Sequence, residues 1–127
     1  MSAFIIDTDI LVDLSKNQPS AILWFKKAFE EGLELAVCSI NIAEFYSGIT
    51  PNKRLLWDSF FESLESWAIT KNISRQAGIW RYNFARTGIT ISTQDSLIAA
   101  TASTHNATLV TNNIKDYPIP GIKIFSL

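Results

Sequence analysis

The chain is poor in the residues that make crosslinks and soft metal sites. Among 127 residues there is one cysteine, Cys38, and one histidine, His105. A single cysteine forms no intrachain disulfide, which fits a reducing compartment. One cysteine and one histidine also exclude the usual zinc sites. Cys38 ends the apolar run Leu35-Ala36-Val37-Cys38 and reads as a small buried hydrophobe rather than a nucleophile. Long apolar runs are lacking as well: none approaches the ~20 residues that span a bilayer. The opening Met1-Ser2-Ala3-Phe4 has no basic segment, so it does not read as a signal peptide. The expectation is a soluble, cytoplasmic protein with no membrane partner. Excess positive charge is missing too. The net charge is -1, so any contact with nucleic acid must come from a local patch.

Apolar residues are plentiful. They make up 47% of the chain, with eight Phe and four Trp, enough for a substantial core. The length fits a single domain over residues 1–127. Phe4-Ile5-Ile6 reads as a buried strand ending in Asp7. A short helix is predicted over 10–14, then a longer one from Pro19 carrying Ile22, Phe25 and Phe29. Leu35–Cys38 is the second strand, and Ser39 is a candidate N-cap for a helix through Glu44 that ends at Gly48. Another helix opens at Pro51, Trp67-Ala68-Ile69 is the third strand, and 73–87 is a long amphipathic helix. Ser92 or Thr93 caps a helix from Asp95 to about His105; strands at 108–111 and 122–125 complete the chain. Strands alternate with helices throughout, which predicts an α/β fold with a parallel sheet covered on both faces. Sites in such folds form outside the carboxyl ends of the strands, where Asp7, Glu44, Asp95, Asn112 and Asn113 are expected.

Three acids stand in apolar surroundings. Asp7 follows Phe4-Ile5-Ile6, Glu44 lies among Ile40, Ile42 and Phe45, and Asp95 leads into Leu97-Ile98-Ala99-Ala100. Asp7 alone could be a helix cap. Together, converging carboxylates repel one another unless a cation lies between them. A hard divalent ion with oxygen ligands suits this set, so Mg2+ is expected, with Mn2+ as a substitute. Such a site supports phosphodiester hydrolysis, because a bound water can be activated and phosphoryl charge neutralised without a covalent nucleophile.

The motifs then align with a known family. Ile5-Ile6-Asp7-Thr8-Asp9-Ile10-Leu11-Val12 resembles the hydrophobic-Asp-Thr-Asn/Ser-hydrophobic start of PIN-domain proteins, and particularly of VapC-type toxins from toxin–antitoxin pairs. Cys38-Ser39-Ile40-Asn41-Ile42-Ala43-Glu44-Phe45-Tyr46-Ser47-Gly48 resembles their second motif, and Asp95-Ser96-Leu97-Ile98-Ala99-Ala100 their third. Leu109-Val110-Thr111-Asn112-Asn113-Ile114-Lys115-Asp116-Tyr117 resembles the closing Thr-x-Asn/Asp-x-x-Asp-Phe motif. The resemblance implies a three-layer α/β/α fold with a parallel five-stranded sheet. It also implies an endoribonuclease that uses Asp7, Glu44 and Asp95 as metal ligands. Thr111 would orient a water or carboxylate. Implied partners are an RNA substrate, a VapB-type antitoxin that bridges to operator DNA, and a second copy in a homodimer. Two positions depart from the pattern. Asp9 replaces Asn or Ser and reads as a cap or a support. Asn113 stands where some relatives have Asp, so Asp116 is either the substitute for the missing charge or a plain turn residue.

Rival readings exist. Asp7-Thr8-Asp9 imitates the Asp-x-Asp pair of haloacid-dehalogenase phosphatases, but Glu44 is then unexplained. A non-catalytic PIN-fold protein that binds RNA or antitoxin is the second alternative. For contacts with RNA, the stretch from Ser66 to Gln94 holds no acid and includes Lys71, Arg75, Arg81 and Arg86. Arg86 and Arg81 are the candidate phosphate contacts, against the reading of a solvated helix face. The aromatic helices at 19–33 and 53–65 exceed what a small core needs and suggest a groove for an antitoxin segment.

Overall fold

A computed structural model describes residues 2–127. Five strands, β1 (Ala3–Ile6), β2 (Glu34–Cys38), β3 (Glu65–Trp67), β4 (Thr108–Val110) and β5 (Lys123–Phe125), form one sheet in the order β3-β2-β1-β4-β5. Every pairing is parallel. Six helices cover it: α1 (Thr8–Ser15), α2 (Pro19–Glu30), α3 (Ser39–Tyr46), α4 (Arg54–Glu62), α5 (Lys71–Arg86) and α6 (Thr93–Thr104).

Alternation along the strands creates two cores. Ile6, Leu35, Val37 and Val110 face α1–α4, together with Phe25, Phe45 and Trp57. Ala3, Ile5, Cys38 and Leu109 face the other way, onto Ile98, Ala99 and Ala102 of α6, with Trp80 and Phe84 of α5 packed alongside. The expected three-layer α/β/α arrangement is thus present. The small residues of α6 let it lie close to both the sheet and α5, which explains why so apolar a helix carries little large hydrophobe.

Local boundaries differ from expectation where tertiary contacts decide them. The third strand is Glu65–Trp67 rather than Trp67–Ile69, because its register is set by β2, with Ala36 opposite Glu65 and Cys38 opposite Trp67. Ile69 lies past the strand and packs into the core beside α5. Ser39 is the first residue of α3 and not its cap. The Asn41 amide oxygen accepts the Cys38 N–H at 3.0 Å and its Sγ–H at 3.2 Å, so the helix begins one residue earlier than a serine cap would dictate. Pro51–Lys53 forms a 3-10 turn before α4. Cys38 is fully buried and burial raises its thiol above the ordinary range, which leaves it inert.

The strand order reverses between β1 and β4, since β1 leads to β2 on one side and meets β4 on the other. Parallel sheets open a crevice at such a point, at the carboxyl ends of the strands. Asp7 follows β1 there and Thr111 follows β4. The Asp7 N–H donates to the Val110 carbonyl at 3.0 Å, so the two strand ends are pinned together where their side chains emerge.

Candidate active site

Asp7 is the most enclosed acid of this edge, only 6% exposed. It also caps α1: its Oδ1 accepts the Thr8 N–H at 2.8 Å. The capping reading of Asp7 is thus observed, with one oxygen on the cap. Its Oδ2 accepts the Thr111 hydroxyl at 2.8 Å and the Tyr117 hydroxyl at 2.8 Å. Burial raises the Asp7 carboxyl above its ordinary range, and the charge of Asp9 adds to this; the Thr111, Tyr117 and Thr8 hydrogen bonds pull the other way.

Asp95 sits in the first turn of α6, half-buried, with its N–H accepted by the Ser92 hydroxyl at 3.0 Å. Ser92, rather than Thr93, is the cap. The helix N-terminus favours an anion at this place. Burial nevertheless raises the Asp95 carboxyl, as do the charges of Asp116 and Asp7, against the Ser92 and Tyr117 bonds. Asp95 Oδ1 lies 3.4 Å from the Tyr117 hydroxyl.

Glu44 differs from the expectation of an acid set against the core. It is exposed on α3, and its Oε1 accepts the Thr8 hydroxyl at 2.7 Å. Behind it, the fully buried Asn41 donates to Thr8 Oγ1 at 3.2 Å. A line of hydrogen bonds thus runs from Cys38 through Asn41 and Thr8 to Glu44, beside the cap that Asp7 makes with the same Thr8. In the sequence Thr8 stood only as a position of the opening Asp-Thr motif, with no role of its own, and Asn41 did not stand out. The available signal was only that a polar residue three places before Glu44 interrupts an apolar helix.

Asp9 is a support of the loop after β4. Its Oδ2 accepts the Asn112 N–H at 2.9 Å, and its Oδ1 accepts the Ile10 N–H at 2.9 Å. Burial again raises its carboxyl. The Asn113 N–H donates to Thr111 Oγ1 at 3.0 Å, while its side chain lies on the exposed surface. Asp116 closes the 3-10 turn Ile114–Asp116, is less exposed than Asn113, and places its charge near enough to act on Asp95. The loop is tied from behind as well: the Ser126 hydroxyl donates to the Thr111 carbonyl at 2.8 Å, and the Leu127 N–H to Asn112 Oδ1 at 2.9 Å.

Asp7, Asp9, Asp95 and Asp116 therefore share one edge, with Glu44 at its rim. Among the described residues no three His, Cys, Asp or Glu side chains stand close enough together to hold a metal ion between them. The donor set is all oxygen, three of these carboxylates are raised by burial, and Asp7 Oδ1 keeps a lone pair free of protein donors. Those features fit a hard divalent cation that retains several waters.

The two arginines expected from the sequence to contact RNA both stand on α5. Arg81 uses its Nε–H to hold the Ile91 carbonyl at 2.9 Å, which fastens α5 to the segment leading into α6. Arg86 stacks over the exposed Tyr82 ring, with its guanidinium carbon 4.2 Å from the ring centre. On the opposite face of the sheet, a groove of about 590 Å³ opens between α1, α2 and α4, lined by Leu14, Ile22, Phe25, Leu56, Trp57 and Phe60 among others. Leu56 and its neighbour Leu55 are 67% and 82% exposed.

The sequence matches the PIN domain family over residues 4–116. It is 30% identical to ribonuclease VapC19 of Mycobacterium tuberculosis over 91% of this chain and 92% of that protein. It is 28% identical to the tRNA(fMet)-specific endonuclease VapC of Salmonella typhimurium, over 98% of this chain and 97% of the other. The fold superimposes on a chain of VapBC2 from Rickettsia felis, solved bound to a DNA fragment from its promoter, with a TM-score of 0.85 and 27% identity, covering 98% of each chain.

Proposed function

Since the chain belongs to the PIN domain family, we propose that it is a divalent-metal-dependent endoribonuclease acting as the toxin of a VapBC-type toxin–antitoxin pair. One observation carries the reading: Asp7 and Asp95, from elements far apart in sequence, meet at the strand-order reversal with Thr111 fixed against Asp7. Relatives of similar length are ribonucleases, and the Rickettsia relative occurs in a toxin–antitoxin assembly on promoter DNA.

In this reading Asp7, Asp95 and Glu44 are the residues that would hold Mg2+ or Mn2+. The bound cation supplies Lewis acidity toward the scissile phosphate and its attacking water. The protein's own part is positional. Thr8 holds Glu44 toward the crevice, where its carboxylate can orient a water and accept its proton. Thr111 and the Thr8 N–H fix Asp7 in one orientation. Asp116 supplies the fourth negative charge, because its field reaches Asp95 while the Asn113 side chain faces solvent. Arg86, backed by Tyr82, is the candidate contact for an RNA phosphate or base outside the crevice. The apolar groove between α1, α2 and α4 seats the antitoxin, whose other end would carry the pair to operator DNA.

Incubation of the chain with pooled RNA tests this. Cleavage is expected with Mg2+ or Mn2+, none with EDTA, and none from Asp7→Asn. Metal-independent cleavage, or an Asp7→Asn protein as active as the parent, overturns the mechanism. Binding of RNA or antitoxin without any turnover favours the non-catalytic alternative.

A further inference from the structure

We propose that Tyr117 is a positioning residue whose hydroxyl clamps Asp7, so that this carboxylate is oriented before a divalent cation binds. The inference rests on the divalent-cation reading above. Tyr117 is 4% exposed, and its ring belongs to the core between the sheet and α6. A phenylalanine would fill that volume equally well, and Phe is the residue of the closing motif that this segment resembles. The hydroxyl is therefore surplus to packing. It lies 2.8 Å from Asp7 Oδ2 and 3.4 Å from Asp95 Oδ1.

A phenol has one proton to donate. The shorter contact takes it, and Asp95 is left at the outer limit of the same oxygen. The Asp7 carboxylate has about two lone-pair sites on each oxygen. Oδ2 uses both, on Thr111 and Tyr117; Oδ1 uses one, on the Thr8 N–H. What Asp7 has left to offer is a single position on Oδ1. Tyr117 thereby decides which Asp7 oxygen faces an incoming cation. Residues that hold a ligand's second oxygen in this way are worth about ten- to a hundredfold in metal affinity. The lower end is expected here, because Thr111 remains as a second donor.

The test is the Mn2+ dissociation constant of the RNA-free chain, measured calorimetrically for the parent, Tyr117→Phe, Thr111→Val and the double variant. Tyr117→Phe is expected to bind Mn2+ about tenfold more weakly. Its circular dichroism should remain that of the folded chain, and KM for RNA at saturating Mn2+ should not change. The double variant should lose more than the product of the single losses, since either donor alone still holds that oxygen. An unchanged constant in Tyr117→Phe overturns the clamp and leaves the nuclease reading standing. A tighter one also overturns it, because the hydroxyl would then compete with the cation. A parent protein that binds no Mn2+ overturns the metal reading and the clamp with it. Proton NMR of the parent keeps the inference exposed even if Tyr117→Phe does not fold. The buried hydroxyl should give a slowly exchanging resonance that persists when Mg2+ is added, and its disappearance overturns the clamp.

Discussion

The carboxyl edge of the sheet and the groove between α1, α2 and α4 are both concave, and they are built by opposite means. At the edge, three of the acids are held by named partners: Asp7 by Thr8, Thr111 and Tyr117, Asp9 by Asn112, Glu44 by Thr8. In the groove, Phe25, Trp57 and Phe60 meet edge to face, and Leu56 stands largely in solvent. The edge spends hydrogen bonds to keep charge in a place that burial disfavours. The groove leaves apolar surface uncovered. The first arrangement suits chemistry on a small charged group, the second suits a protein segment with an apolar face.

If the two surfaces have these separate tasks, changes in one should leave the other untouched. The largest effect is expected for Asp7→Asn, which should lower RNA cleavage on the order of a thousandfold or more and leave capture of the antitoxin unchanged. A gel-based cleavage assay beside a pull-down checks both; joint loss would mean that the separation is false. Next comes Leu56→Asp in the groove. Its expected result is antitoxin binding weakened about thirtyfold, the scale of one strong contact, with cleavage intact by the same assays. Cleavage lost along with binding would show that the groove supports the site.

A finer comparison lies within the edge. Asp116→Asn should reduce cleavage about tenfold, at the low end for a charged group beside the reaction, while Asn113→Ala should cost less than about threefold. Steady-state rates on one RNA decide between them, and the reverse ranking would restore Asn113 as the fourth corner. The smallest effect concerns stability. Burial raises the carboxyls of Asp7, Asp9 and Asp95, so between the ordinary carboxylate range and the raised values the folded chain binds more protons than the unfolded one. Their contribution to stability falls as pH rises through that window. Metal-free protein should melt a few degrees higher at the acid end of that window than above it, and saturating Mg2+ should shrink the difference. Thermal melts that are flat or reversed with pH would show that these acids are compensated by other groups.

How far the sequence foretold the edge depends on where each partner lies. Asp7 and Asp95 were legible because each follows a local signal, a strand end and a capped apolar helix. Tyr117 was not, because its aromatic ring satisfies the motif while its hydroxyl bonds a carboxylate 110 positions away. Asp9 reads locally as a cap, and only the fold brings Asn112 to its other oxygen. Arg81 had the right charge for RNA, yet its Nε–H is turned to the Ile91 carbonyl, a contact that periodicity does not encode. The alternating order of the elements was plain from hydrophobic runs, whereas the start of β3 was not, since β2 sets its register. Aromatic excess foretold that a groove would exist, and the packing of α2 against α4 decided where it opens.

The bonds from Ser126 and Leu127 to Thr111 and Asn112 have a practical side. They make Ser126 and Leu127 a brace on the loop that follows β4, so a purification tag or fluorophore placed directly behind Leu127 would tug on the edge where Asp7 and Thr111 emerge. Ala3 opens β1 at the far end of the same parallel sheet. A label or immobilising handle belongs at that end, where it leaves the brace alone.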